Sequence, residues 1–402
     1  MRVLISGASV AGPVLAYWLA RRGFDVTVVE RAPELRKTGG HAVDLFRPAM
    51  DISEKMEVLP QVMARATGTT RMIFNRRGSR RPVDLDYIKL QEIISNRHVE
   101  IMRDDLSQIY YDAGRDDVEY LFGDEITAIS DDGLVTFAKA STRSYDIVVG
   151  ADGLHSGVRR LVFGPDAGHT RFLGGYLSVL SVPKSLARDG VATNFIDANR
   201  MAMVYTADHL DDARAVFIFR PPAPLEYHHR DDVRQRQFLR DTFADQDPTV
   251  DRWLGELDNG RSFYFDSITQ LELTSWSRGR VTLVGDAGYC PGPAVGGSTS
   301  LAVLGAYVLA GELQGAQGDY ASAFESYERV MMDPVVRSRA FARTVAKGLI
   351  PSSGLGVRGL MGVARAISVL PASVLEAVAN LNKKGVRLYD TMSAPEYPMP
   401  VR

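Results

Sequence analysis

The opening of the chain constrains its fold more than any other stretch. Val3-Leu4-Ile5 leads into Gly7-Ala8-Ser9-Val10-Ala11-Gly12, then an apolar helical segment from Val14 to Arg22, then Val26-Thr27-Val28-Val29 ending at Glu30. This succession of β-branched run, glycine turn, helical segment and second β-branched run predicts a βαβ unit. A glycine turn between strand and helix lets backbone amides approach a pyrophosphate at the helix N-terminus. A carboxylate at the end of the second strand can then bind ribose hydroxyls. Ser9 stands where such turns usually carry their middle glycine, and it is small enough for close approach. An ordinary βα turn is the rival reading, against which Glu30 and the N-terminal placement argue.

Two later segments repeat the delivery of a turn by an apolar strand. Asp146-Ile147-Val148-Val149 runs into Gly150-Ala151-Asp152-Gly153, followed by Ser156 and Arg159. Val281-Thr282-Leu283-Val284 runs into Gly285-Asp286-Ala287, then Pro293, Gly296-Gly297-Ser298-Thr299-Ser300 and an apolar helix from Leu301 to Leu313. A carboxylate at a strand's C-terminal end suits a ligand's hydroxyls, and a helix start offers amides and a positive dipole end to an anion. The expected fold is therefore α/β, with a Rossmann-like domain assembled from discontinuous segments at 1–70, 99–170 and 266–330. Residues 71–98 suggest a hairpin with the basic turn Arg76-Arg77-Gly78. Residues 171–265 carry strand-like runs and a helix-like stretch from Asp231 to Phe243, and both segments are assigned to an inserted β-sheet substrate domain. From 331 to 402 the pattern is helical, with Pro334, Pro351 and Pro371 as breaks or helix starts.

Composition narrows the function. Across 402 residues the formal net charge is -2, so nothing in bulk attracts nucleic acid. The one cysteine, Cys290, forms no intramolecular disulfide and is expected to serve packing in a cytoplasmic protein. An uncharged stretch from Ala287 to Gly311 could span a bilayer by length, but its prolines and glycines predict a loop feeding a buried helix rather than stable membrane insertion. No metal-ligand cluster is visible.

Taken together, the three turns resemble the class A FAD monooxygenase family typified by para-hydroxybenzoate hydroxylase. The Gly-Ala-Ser-Val-Ala-Gly opening, Arg103-Asp104-Asp105-Leu106, Gly-Ala-Asp-Gly-Leu-His-Ser and Leu283-Val284-Gly285-Asp286-Ala287 carry the likeness, which covers essentially the whole chain. Within the family, the length and the lack of an extra C-terminal domain are most similar to the tetracycline-inactivating and related antibiotic-modifying enzymes.

The resemblance implies an enzyme in which NADPH or NADH, visiting transiently, reduces FAD, and O2 then hydroxylates an aromatic, polyketide or antibiotic small molecule through a flavin hydroperoxide. It implies that Glu30 and Arg31 hold the adenosine ribose, Arg103 the middle of FAD, Asp286 the ribityl chain and pyrophosphate region, and Gly296, Gly297, Ser298 and Thr299 the ring edge. Gly7, Ser9, Val10, Ala11, Gly12 and Asp152 complete the cofactor set, with Arg36 and Asp44 matching cofactor contacts of the antibiotic-modifying relatives. Arg200 falls where those relatives place a substrate-contacting arginine; a surface arginine at a strand start is the rival reading. Gly288-Tyr289, Ser298 and Ser300 depart from the family's usual residues around the ring. No catalytic acid or base is assigned, and a monomer or homodimer is expected. The alternative is a non-catalytic flavin- or ligand-sequestering protein of the same fold.

Overall fold

The computed structural model describes residues 1–35, 40–79, 81–95, 97–228, 231–293, 297–370 and 388–399. β1 (Arg2–Ser6) pairs in parallel with β2 (Asp25–Glu30) on one side and β11 (Ile147–Gly150) on the other. β7 (Glu119–Phe122) extends the sheet beyond β2, while β18 (Val281–Leu283) and then β17 (Ser277–Arg278) extend it beyond β11. Strands far apart in sequence thus build one six-stranded sheet. Val3, Leu4, Ile5, Ile147, Val148 and Val149 are all buried, because helices such as α1 (Ala11–Ala20), α5 (Arg103–Gly114) and α10 (Ser298–Gly315) cover it. Parallel strands buried on both faces need such unbroken apolar runs. A small antiparallel sheet of β8 (Ile126–Ile129), β9 (Leu134–Phe137) and β10 (Arg143–Ser144) lies between β7 and β11 in sequence.

The second large sheet has seven strands. It runs β16 (Phe263–Leu271), β12 (Thr170–Pro183), β15 (Asp212–Phe219), β14 (Arg200–Tyr205), β13 (Val191–Asp197), β4 (Arg71–Arg76) and β5 (Val83–Asp86). The expected hairpin is present, turning at Gly78 with φ 72°, and β4 joins β13 in parallel from Val191 opposite Arg71 to Ile196 opposite Arg76. Side chains alternate between two apolar faces, as the period of two requires. Ala202, Val204, Ala215, Phe217 and Phe219 pack beneath α7 (Asp232–Phe243) and α8 (Pro248–Leu254). Leu177, Val179, Val216 and Ile218, with Met201 and Met203, turn the other way, toward Met102 and α11 (Tyr320–Leu349).

A two-stranded ribbon of β3 (Ala42–Phe46) and β6 (His98–Met102) leads into α5. The remaining helices are α2 (Arg47–Lys55), α3 (Leu59–Ala64), α4 (Tyr87–Ile94), α6 (Gly157–Phe163), α9 (Asp286–Tyr289) and α12 (Gly354–Val369). Pro334 does not break the chain but sits inside α11. An internal proline costs roughly 3 kcal/mol; here Tyr327, Met331, Val335 and Ala342 bury one continuous face across it, and that packing holds the helix. Pro351 does separate α11 from α12, and Pro371 lies outside the described residues. Among the described residues no helix is long and apolar enough to cross a membrane.

Candidate functional site

The first turn is built on close approach. Gly7 has φ 108°, and a Cβ there would lie 2.6 Å from the Ala151 carbonyl oxygen; one on Gly12 would lie 1.9 Å from the Gly7 oxygen. Only glycines let α1 sit this near β1 and β11. Val10 and Ala11 are buried where α1 begins, with no side-chain cap and no acid in the first turn, so its amides and dipole end remain available. The Glu30 carboxylate accepts from the Ala8 and Ala32 amides, each at 2.9 Å. Arg103, the first residue of α5, brings Nη2 to 3.0 Å from Ser9 Oγ. Arg31 is exposed just past β2.

The other two turns meet the first. Asp152 Oδ2 accepts from the Gly157 and Val158 amides at 2.9 and 3.1 Å, capping α6, while its Oδ1 is buried without a hydrogen-bond partner. Burial raises the Asp152 carboxyl above the usual carboxylate range. Fully buried Arg159 donates Nη1 to the Ala287 oxygen at 2.9 Å, lashing the second turn to the third. Gly285, at φ 65°, is wedged between α1 and α10: a Cβ there would come within 3.3 Å of both Ala11 and Ala302 Cβ. Asp286 follows. Burial raises its pKa and the Arg103 guanidinium opposes the rise, so Arg103, bonded to the first turn, also acts by its charge on the third.

α10 begins three residues before the predicted apolar run, placing half-buried Ser298 and Thr299 in its first turn behind Gly297 at φ 80°; no side chain caps it. Ser300 Oγ accepts from the Phe46 amide at 2.9 Å and lies 3.4 Å from the Asp44 oxygen, docking β3 on the helix start. Asp44 also pairs through Oδ1 with His98 Nε2 at 2.7 Å. Arg36 and Gly296 lie outside the described residues.

Arg200 is not brought to this cluster. Its Nη1 donates to the Thr242 oxygen on α7 and its Nη2 lies 3.2 Å from Asp197 Oδ2, on the helix-covered face of the sheet. The adjacent Met201 and Met203 hold the opposite face.

Sequence reasoning passed over His41 and Tyr264. Burial and then the Arg103 charge push the His41 imidazole down to about 4, against a weaker upward pull from Asp44. An unfolded chain takes up that proton near 6.5, so the unfolded state binds more protons between about 4 and 6.5. Stability is fully present above 6.5 and falls as the pH drops through this window. In apo-protein, His41→Gln is therefore expected to flatten the pH dependence of the urea midpoint there, and an unchanged slope contradicts the assignment. Tyr264 Oη lies 3.3 Å from Asp266 Oδ2, which also meets His155 Nε2 at 2.9 Å. Alternation along β16 was the available signal, since Tyr264, Asp266 and Ile268 share a face.

The departure at Gly288-Tyr289 is absorbed by packing. Tyr289 Oη fills the notch at Gly305, where a Cβ would lie 1.8 Å away, and stands 3.0 Å from Tyr327 Oη, which donates to the Leu283 oxygen at 3.1 Å. Tyr327→Phe removes both bonds inside the core and should cost about 1–2 kcal/mol, read in a chain of this length as a fall in Tm of about 1–2 °C. Cys290 is buried in the same core, and burial pushes its thiol well above the ordinary range, consistent with packing rather than reactivity.

The donor set suits FAD. The uncapped start of α1 and a guanidinium suit a diphosphate, the uncapped start of α10 suits the edge of a flavin ring, the orphaned Asp152 Oδ1 and the Asp286 carboxyl suit hydroxyls or amides, and the Gly7–Gly12 cradle admits no side chain. A family model described as FAD binding domain matches residues 1–328. An uncharacterised protein of Mycobacterium tuberculosis strain H37Rv is 42% identical over 329 residues, covering 81% of this chain and 88% of that one. A flavin-dependent monooxygenase of Legionella longbeachae is 35% identical over 360 residues, covering 87% and 90%. The crystal structure of tetracycline destructase Tet(51) superposes with a TM-score of 0.82 at 32% identity, covering 98% of this chain and 99% of that one. The family match over residues 1–328 and the likeness to such relatives along most of its length make this chain a member of the FAD-binding-domain family, an FAD-dependent monooxygenase.

Proposed function

We propose that this monooxygenase hydroxylates an aromatic or polyketide small molecule, with antibiotics of the tetracycline kind first among candidates, using NADPH or NADH as a transient reductant. The carrying observation is the phase of the seven-stranded sheet. Its face away from α7 and α8 carries buried Leu177, Val179, Val216 and Ile218 with half-buried Met201 and Met203, packed toward Met102 and α11, and Tyr264 on that face feels the charges of Arg103 and Asp286. Apolar walls with adaptable methionines suit a flat polycyclic substrate and exclude water from the reacting centre. The likeness to a tetracycline destructase supports the same class.

Bound FAD supplies hydride acceptance and oxygen activation. Arg103, with the amides of the Gly7–Gly12 turn, would hold its diphosphate. Glu30 would accept from ribose hydroxyls with lone pairs its two amide bonds leave over. Asp286 would take the ribityl chain, and Gly297, Ser298 and Thr299 would face the ring edge. Segments 1–70, 99–170 and 266–330 form the cofactor domain in this reading, and 71–98 with 171–265 the substrate domain. A cytoplasmic monomer or homodimer is the matching expectation, checked by light scattering.

The test is NADPH consumption by the purified holoenzyme with tetracyclines and simple phenols, under air and under argon. Oxygen-dependent stimulation, with a product one oxygen atom heavier by mass spectrometry, supports the proposal. Bound flavin that none of these compounds stimulates rejects this substrate class.

A further inference from the structure

Residues 388–399 run beside α10 from end to end. Tyr389 meets Gly297 at the helix start, where an added Cβ would fall 1.9 Å from the phenol ring. Tyr397 meets Gly311 near the other end, where a Cβ would fall 2.3 Å from its ring, and it packs edge-on against Tyr307. The Pro398 oxygen accepts from Gln314 Nε2 at 3.1 Å, and Glu396 pairs with Lys55 of α2 at 2.9 Å. At the near end Ser95 Oγ bonds Asp390, and Arg337 Nη1 of α11 reaches Thr391 Oγ1 at 3.2 Å. Two tyrosine knobs thus sit in two glycine holes of one helix.

Only the first knob lies at the candidate cofactor site. Tyr389 stacks face to face on Phe46, with centroids 4.9 Å apart and planes 6° from parallel, and Phe341 meets it edge-on. Phe46 in turn gives its amide to Ser300 in the first turn of α10. The phenol ring therefore fills the space between β3 and Gly297, whose left-handed conformation aims the following amides. The matched family region ends at residue 328, so none of this segment belongs to it.

We propose that residues 388–399 act as a strap that sets the first turn of α10 for FAD, with Tyr389 as the positioning residue. The proposal rests on the reading that this turn faces the flavin. Without the ring, a cavity opens behind Gly297, the turn relaxes, and the Ser298 and Thr299 amides lose their aim. The contribution comes from the ring's shape rather than its hydroxyl.

The experiment titrates FAD into folded apo-protein, following flavin fluorescence and the visible circular dichroism of the bound flavin. Tyr389→Ala should raise the FAD Kd about tenfold or more and alter the flavin band, while Tyr389→Phe stays within about twofold of wild type. Tyr397→Ala, at the far end of the same helix, should lower Tm yet leave the Kd within about twofold. A folded Tyr389→Ala protein with unchanged Kd and spectrum overturns the proposal. So does a Tyr397→Ala variant that weakens FAD equally, because the strap would then be a general stabiliser. If Tyr389→Ala does not fold, Tyr389→Leu is read by the same criteria. Arg103→Ala separates the two levels: weakened binding there with none in Tyr389→Ala fails the strap alone, whereas no effect in either fails the placement of the flavin.

Discussion

Arg103→Ala should weaken FAD binding by about 10- to 100-fold, measured by fluorescence titration of apo-protein. The guanidinium bonds Ser9 on the first turn, lies near Asp286 on the third, and helps depress His41, so three contributors to the cleft depend on it. A charge-assisted bond to a diphosphate is worth about 1.5–3 kcal/mol, which sets the range. Lysine should recover only part, since a point charge cannot serve Ser9 and a phosphate with one planar fork. The variant carries a second signature: His41, relieved of a neighbouring cation, should titrate higher than in wild type while burial still holds it below the ordinary value. A Kd within about threefold of wild type would remove Arg103 from the cofactor's partners.

Gly12→Ala should be more damaging to the fold. The new methyl would lie 1.9 Å from the Gly7 oxygen, a backbone atom in a turn already pressed on Ala151. Nothing there can swing aside, so α1 must lift from β1 and unpack Val14 and Leu15, both wholly buried. A loss of roughly 3 kcal/mol or more is expected, with little flavin retained on purification. Gly23→Ala is the control: φ is 80° but the added methyl meets nothing within 4 Å, so only backbone strain of about 1–2 kcal/mol applies. If Gly12→Ala melts no lower than Gly23→Ala, close helix-strand contact is not what the glycine serves.

The βαβ opening was legible because several local signals agree there: β-branched runs, glycines where φ is positive or a helix crowds, and an acid at the strand end. The turns that carry Asp152 and Asp286 were legible for the same reason, each following an apolar strand. The face that Arg200 takes was not legible, because β14 is apolar on both faces; Ala202 and Val204 alternate with Met201 and Met203, and hydrophobicity cannot say which pair meets α7. His41 owes its perturbation first to burial and then to Arg103, a neighbour only after β3 and β6 have paired. Pro334 obeyed the packing of α11 instead of its own preference. Tyr389 and Tyr397 sit in a stretch without periodicity, and nothing local announces that α10 has holes shaped for them.

The parallel pairing of β4 with β13 also sets an order of events during synthesis. The hairpin of residues 71–86 emerges early, yet its partner strand at Val191–Asp197 must still be made, which at ordinary elongation rates takes on the order of 10 s. Through that interval Met72, Ile73 and Phe74 sit on an uncovered strand edge, and β1 waits longer still for β18 to complete its sheet. The earliest elements made are among the last to be finished. Slower growth at low temperature, or a holdase chaperone supplied during expression, should therefore raise soluble yield more than any change to the finished core.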